Sequence, residues 1–278
     1  MLINLDFPVN VKCLEFSRNE AGQLPSPRLS RAHLQVDESD FRIDIHNVAI
    51  FRVQDGDKVQ IYPYENADME SVKLFLNGSA LGALFHQKGI MPFHGSAFSI
   101  NGKGVLICGV SGAGKSSVTA AFCQNGAKFI SDDITPVSIH DSIVQMTPLK
   151  TNMKLWNDSI KKLNIKNENL EKIRPALDKY YLPFQDNSGI NRLDNLVILS
   201  THNKEEFRAV ELRGIVKYNN LRNQIYRKVY LKGMPETEKL YFKQLFQIAS
   251  AIKVTSVQRP RICNIYEVMN FIKCEIDL

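Results

Sequence analysis

A chain of 278 residues, 44% of them apolar and 23% charged, is that of a globular protein with room for one large or two modest units around a buried core. No run approaches the roughly 20 apolar residues of a membrane span, and Met1 to Pro8 lacks the basic segment and long apolar stretch of an export signal, so a cytoplasmic protein with no membrane partner is expected. The net charge of +6 invites a nucleic-acid reading, but Lys and Arg are spread from Lys204 to Arg261 among Glu and aliphatic residues, with no zinc-finger spacing or aromatic RNA-binding motif, so nucleic acid is not expected as a partner.

Residues 41–46, 48–53 and 58–63 alternate apolar and polar side chains as short strands do, and Asp55-Gly56 between two of these runs is a hairpin signal. From Met69 to Gln87 the apolar residues Val72, Leu74, Phe75, Leu81, Leu84 and Phe85 follow a helical period, with a break expected near Gly78. Residues 1–88 therefore read as a β-rich N-terminal lobe with a connecting helix, and residues 89–278 as the core. In that core, Asn101-Gly102 separates Ser96–Ile100 from Lys103–Cys108 and predicts a two-residue hairpin loop. Ile100 then faces Lys103, and counting back along the ladder sets His94 opposite Gly109; a one-residue slip would turn the face.

Gly109-Val110-Ser111-Gly112-Ala113-Gly114-Lys115-Ser116 follows the strand signal Val105–Cys108 and precedes a helix signal over Ser117–Asn125, with Val118, Ala121 and Phe122 on one face and Gly126 as its stop. This is the Walker A pattern, Gly-x4-Gly-Lys-Ser. Its backbone N–H groups point into one concave loop, and a helix N-terminus favours an anion there. Residues 109–117 are thus the expected nucleotide-binding segment, with Lys115 on the β and γ oxygens and Ser116 on Mg²⁺. Downstream, strands are predicted at 127–130, 153–156, 196–199 and 254–257, and helices at 159–163, 235–252 and 265–273. The five cysteines, Cys13, Cys108, Cys123, Cys263 and Cys274, contain no Cys-x-x-Cys pair, which fits a reducing compartment.

Phosphoryl transfer also needs a carboxylate for the metal and a group to take the acceptor's proton. Leu196–Leu199 is followed by Ser200, Thr201 and His202 with no Asp, whereas Ser131 is followed by Asp132-Asp133. Adjacent carboxylates at a strand end point to different sides, so one can serve the metal and the other the acceptor.

Phe93-His94-Gly95-Ser96, the Asn101–Ile107 hairpin, the loop and Ser131-Asp132-Asp133 resemble the HPr kinase/phosphorylase family, including relatives that phosphorylate serine in other proteins or peptides. The resemblance spans about residues 90 to 136 closely and, more loosely, the stretch from Phe75 and the tail to 278. It implies an α/β fold, with a P-loop core and mixed sheet related to phosphoenolpyruvate carboxykinase beside the β-rich lobe. It further implies an ATP- and Mg²⁺-dependent serine kinase in which Asp132 is the general base, His94 hydrogen-bonds Asp132, Lys115 assists transfer, and Ser116 with Asp133 binds Mg²⁺.

Two departures bear on the acceptor. Family members acting on HPr carry an acidic residue where this chain has Ser117, and a Glu-x-Arg-Gly segment soon after the Asp pair, matched here only far downstream at Glu211-Leu212-Arg213-Gly214. A serine of a protein or peptide is the expected acceptor, and relatives found beside lasso-peptide maturation systems make a peptide serine one such acceptor. Phosphorylation of a small hydroxylated metabolite and a non-catalytic nucleotide-gated binding module remain open, as does assembly into a homo-oligomer. Arg174-Pro175 and Lys179 are read as surface groups able to reach an anion, and Trp156 as a core residue.

Overall fold

The computed structural model describes residues 13–17, 21–149, 152–166, 168, 170–173, 177–184 and 191–278; Arg174 and Pro175 lie outside them. The fold is mixed α/β, and the chain divides into two compact units. One comprises Met1–Pro92 with Ile225–Gln244, the other Phe93–Gln224 with Leu245–Leu278. No helix among the described residues is long and apolar enough to cross a membrane.

In the first unit, β1 (Cys13–Phe16), β2 (Leu29–Arg31), β3 (Leu34–Val36), β4 (Asp40–Ile45), β5 (Ala49–Gln54) and β6 (Lys58–Pro63) form a sheet in the order β1-β6-β5-β4-β3-β2. Ala49, Phe51 and Val53 of β5 and Val59 and Ile61 of β6 are buried, with their neighbours less so, which is the two-residue period that made these strands legible. Helix α1 (Met69–Phe75) is capped by Asp68, whose carboxylate accepts from the amides of Glu70 and Ser71. Instead of breaking near Gly78, the helix widens into a π turn at Leu76–Ala80 and continues as α2 (Leu81–Gln87). A Cβ at Gly82 would lie 3.0 Å from the Tyr226 ring, so glycine here admits a neighbour rather than ending the helix.

Segment 225–244, expected in the core from the sequence, groups with this unit because its aromatic residues are buried in it. Tyr230 packs on Phe41 with ring centroids 4.8 Å apart, and the Tyr241 hydroxyl donates to the Ile90 carbonyl at 2.6 Å.

The second unit holds β7 (Met91–Ile100) from Phe93 on, β8 (Lys103–Cys108), α3 (Lys115–Gln124), β9 (Lys128–Ser131), β10 (Ile134–His140), β11 (Ile143–Met146), β12 (Met153–Trp156), α4 (Asn157–Lys162) and β13 (Lys179–Leu182). It continues through β14 (Asn191–Arg192), β15 (Asn195–His202), β16 (Arg208–Glu211), α5 (Gly214–Asn223), the end of α6 (Pro235–Ala251), β17 (Lys253–Pro260) and α7 (Ile265–Glu275). The main sheet runs β14-β11-β10-β7-β8-β15-β17-β16, with β9 also on β7. Strands β12 and β13 form a separate ribbon.

At the centre, β8, β15 and β17 are parallel, and Val105 to Cys108 are all fully buried, so β8 reads as an unbroken apolar run rather than an alternation. Phe122 of α3 stacks on Phe98 of β7 at 4.4 Å, and Val118, Ile107, Val197, Val257 and Ile272 complete the core around them. The β7–β8 hairpin has the expected register, Ile100 opposite Lys103 through Gly95 opposite Cys108. Asn101 and Gly102, at φ 51° and 76°, supply the two positive φ angles a tight loop of this twist requires.

Candidate active site

Strand β8 ends at Cys108, and Gly109 turns the chain away at φ 138° while pressed against β15: a Cβ there would stand 2.1 Å from the Leu199 carbonyl oxygen. The loop closes at Gly114, which sits at φ 102° as the N-cap of α3 and offers no side chain to the first turn. The leading amides of a ten-residue helix are therefore left for another acceptor, at the positive end of the helix dipole. Lys115 folds over the loop, its Nζ donating to the carbonyls of Gly109 at 2.9 Å and Val110 at 3.3 Å. Burial lowers its pKa. Arg259 of β17 braces the loop from the side, donating through Nε to the Ala113 carbonyl at 2.9 Å. Sequence reasoning missed Arg259, because its closeness to the loop arises from the pairing of β17 beside β15, which no local pattern announces.

The two carboxylates after β9 face different partners. Asp132, only 5% exposed, accepts from the Ser116 hydroxyl at 2.8 Å through Oδ1 and from the Lys154 amide at 2.9 Å through Oδ2. Asp133 has a left-handed backbone, φ 73°, which turns its side chain elsewhere. Its Oδ2 lies 3.4 Å from Lys154 Nζ and its Oδ1 3.5 Å from His94 Nδ1. Burial would raise the Asp133 pKa, but the neighbouring positive charge, that of Lys154 foremost, overcomes it and holds the carboxyl below its usual range.

His94 links this cluster to the loop. Nδ1 lies 2.9 Å from the Asp133 carbonyl oxygen, which can only accept, so Nδ1 carries the proton; this leaves Nε2 to accept from Lys115 Nζ at 3.3 Å. Burial, then the neighbouring Lys115 charge, lower the His94 pKa and favour this neutral form. The resemblance implied a His94–Asp132 hydrogen bond and a Ser116–Asp133 metal pair. The contacts join His94 to Asp133 and Ser116 to Asp132 instead, for the backbone reason just given.

These groups share a cavity of about 530 Å³. Ser111, Gly112, Gly114, Lys115, Ser116 and Ser117 line it; Gly109, Val110 and Ala113 complete the loop outside that lining. The Ser117 hydroxyl donates to Ser159 of α4 at 2.9 Å and so ties α3 to α4. Trp156, expected in the core, is instead 50% exposed on the cavity wall, since Met153 and Leu155 are the β12 residues that point inward. Lys154, unmarked by any motif, and Lys179 of β13 line the same wall. Glu211 and Arg213 pair with each other at 3.2 Å on the surface and are not among the lining residues.

No known family model and no curated protein matches the chain. Among solved structures, it is similar to the HPr(Ser) kinase/phosphatase from Coxiella burnetii. The match has a TM-score of 0.32 and 11% identity, over 66% of this chain and 95% of that one. A likeness of that size carries no argument.

Among the described residues no group of three or more His, Cys, Asp or Glu converges as a metal cage. Mg²⁺ does not need one: it keeps several waters and takes one or two carboxylates together with substrate phosphate oxygens. The Ser116 hydroxyl and Asp132 carboxylate, in contact beside the loop, fit that requirement.

Proposed function

We propose that this protein is a kinase that transfers the γ-phosphate of ATP, with Mg²⁺, to a serine hydroxyl of a protein or peptide. The observation that carries the reading is the juxtaposition in one cavity of an uncapped helix N-terminus, the Ser116–Asp132 pair and the Lys115–His94–Asp133 chain. Binding a nucleotide needs only the first two. A second carboxylate, held by a neutral histidine and separate from the metal pair, supports transfer to an acceptor.

The loop amides and Lys115 would hold the phosphates, Lys115 exchanging its carbonyl partners for β and γ oxygens. Ser116 and Asp132 would hold Mg²⁺, which offsets charge on the transferring group. Asp133, with its side chain 38% exposed where Asp132 is buried, would accept the serine proton, and His94 would keep that carboxylate in place through the Asp133 backbone. This reverses the division of labour implied by the family resemblance. Two substitutions test it. Asp133→Asn is expected to retain Mg²⁺-dependent ATP binding and to lower transfer by roughly 100-fold or more. Asp132→Asn is expected to weaken the Mg²⁺ dependence of nucleotide binding itself. If Asp133→Asn transfers phosphate at the wild-type rate, Asp133 is not the base.

A further inference from the structure

The β12–β13 ribbon presents one face to the cavity. Its register sets Lys154 opposite Tyr181 and Trp156 opposite Lys179, while Met153 and Leu155 point the other way into the core. Successive residues on one face of a strand stand roughly 7 Å apart. Lys154 touches Asp133, so Trp156 and Lys179 lie one step beyond the proposed base. Arg259, which donates to the Ala113 carbonyl of the loop, also lines the cavity. The ribbon thus supplies the cavity wall beside Asp133.

Lys179 holds its ammonium 5.5 Å from the centre of the Trp156 ring. Among the described residues it has no carboxylate within ion-pair distance: Asp133 is taken by Lys154, and Asp158, the other acid on this wall, by Lys162 at 3.3 Å. A cation paired with no carboxylate, held over a half-exposed aromatic ring, suits a chain that brings both a carboxylate and an apolar stem. We infer that Trp156 and Lys179 form an acceptor subsite selecting a serine flanked by acidic side chains. The inference rests on the kinase reading.

Trp156 is the only tryptophan in the chain and reports on its own surroundings. The probe is a short peptide of one serine flanked by glutamates, with its lysine counterpart as control, titrated against tryptophan fluorescence in the presence of Mg²⁺ and a non-hydrolysable ATP analogue. The glutamate peptide is expected to give a saturable change that weakens with salt, and the lysine peptide none. Lys179→Ala is expected to weaken the response at least tenfold while leaving the affinity for labelled ATP unchanged. Absence of a response to the glutamate peptide, or its persistence in Lys179→Ala, overturns the inference. A saturable change with the ATP analogue alone, unaffected by peptide, makes Trp156 a platform for the nucleotide base and overturns it too. Failure of labelled ATP to bind at all removes the kinase reading instead, which separates the two.

Discussion

His94 is the residue on which the two halves of the site meet, and its protonation state decides whether they can. As a neutral donor through Nδ1 and acceptor through Nε2 it serves Asp133 and Lys115 together; as a cation it would set its own Nε2 proton against Lys115 Nζ at 3.3 Å and leave that ammonium only the Gly109 and Val110 carbonyls. Burial and Lys115 lower its pKa while Asp133 opposes them, so the folded value lies below the ordinary 6.5 of a histidine. The favourable state is therefore complete above about pH 6.5 and is lost as pH falls through the folded pKa. The acid limb of kcat/KM is expected below about 6.5, matched by the titration of the His94 ring in NMR. His94→Gln keeps an amide donor and a carbonyl but cannot titrate, so it is expected to retain part of the activity and to lose that limb. A ring pKa at or above about 6.5 would contradict the arrangement. Asp133 illustrates a different dependence, since its left-handed backbone decides which partner each carboxylate meets.

At the scale of elements, two glycines of the β8 neighbourhood separate strain from collision. Gly102, at φ 76° with nothing within 4 Å of where a Cβ would stand, sits in open space at the hairpin tip, so Gly102→Ala is expected to cost only about 1 kcal/mol and to leave nucleotide binding intact. Gly109 combines φ 138° with the Leu199 carbonyl at 2.1 Å from any Cβ. Gly109→Ala must push the loop off β15, with an expected loss of about 3 kcal/mol or more in urea denaturation and of ATP affinity in equilibrium dialysis. These positions also mark how far local pattern carries. The hairpin, its register and the strand–loop–helix order around Gly109 were legible because Asn-Gly turns, apolar runs and glycine spacing are local. The short strands β10, β11, β14 and β16 and the bracing Arg259 were not, because pairing across the sheet makes them, and helix α5 was not because it buries only Tyr218 and Leu221 and so shows little helical period. Trp156 reads as core in the sequence for a related reason: a short strand has two faces, and only the packing of Met153 and Leu155 shows which one is buried.

At the scale of the whole molecule, folding commits a titratable group that the site does not use. His86 of α2 is fully buried in the first unit, where Nε2 meets the Tyr226 carbonyl at 2.9 Å and Nδ1 the Tyr241 hydroxyl at 3.2 Å, so it joins the helix to the segment that returns 140 residues later. The carbonyl can only accept, so Nε2 carries a proton. Burial lowers the His86 pKa from 6.5 to about 4, only partly offset by the Tyr226 carbonyl. The unfolded chain therefore takes up a proton below 6.5 that the folded one refuses until near 4. Stability is expected to be full above about pH 6.5 and to decline as pH falls towards 4, by about 3 kcal/mol at roughly 1.36 kcal/mol per pKa unit. His94 and the carboxylates add slopes of their own, so the decisive quantity is a difference. His86→Leu is expected to be less stable at about pH 7, because the Tyr226 carbonyl loses its donor, yet to lose about 2 to 3 kcal/mol less than the wild type between about pH 7 and about 4.5. Urea denaturation followed by far-ultraviolet circular dichroism at the two pH values measures both terms, and parallel losses in the two proteins would mean that His86 does not couple folding to pH.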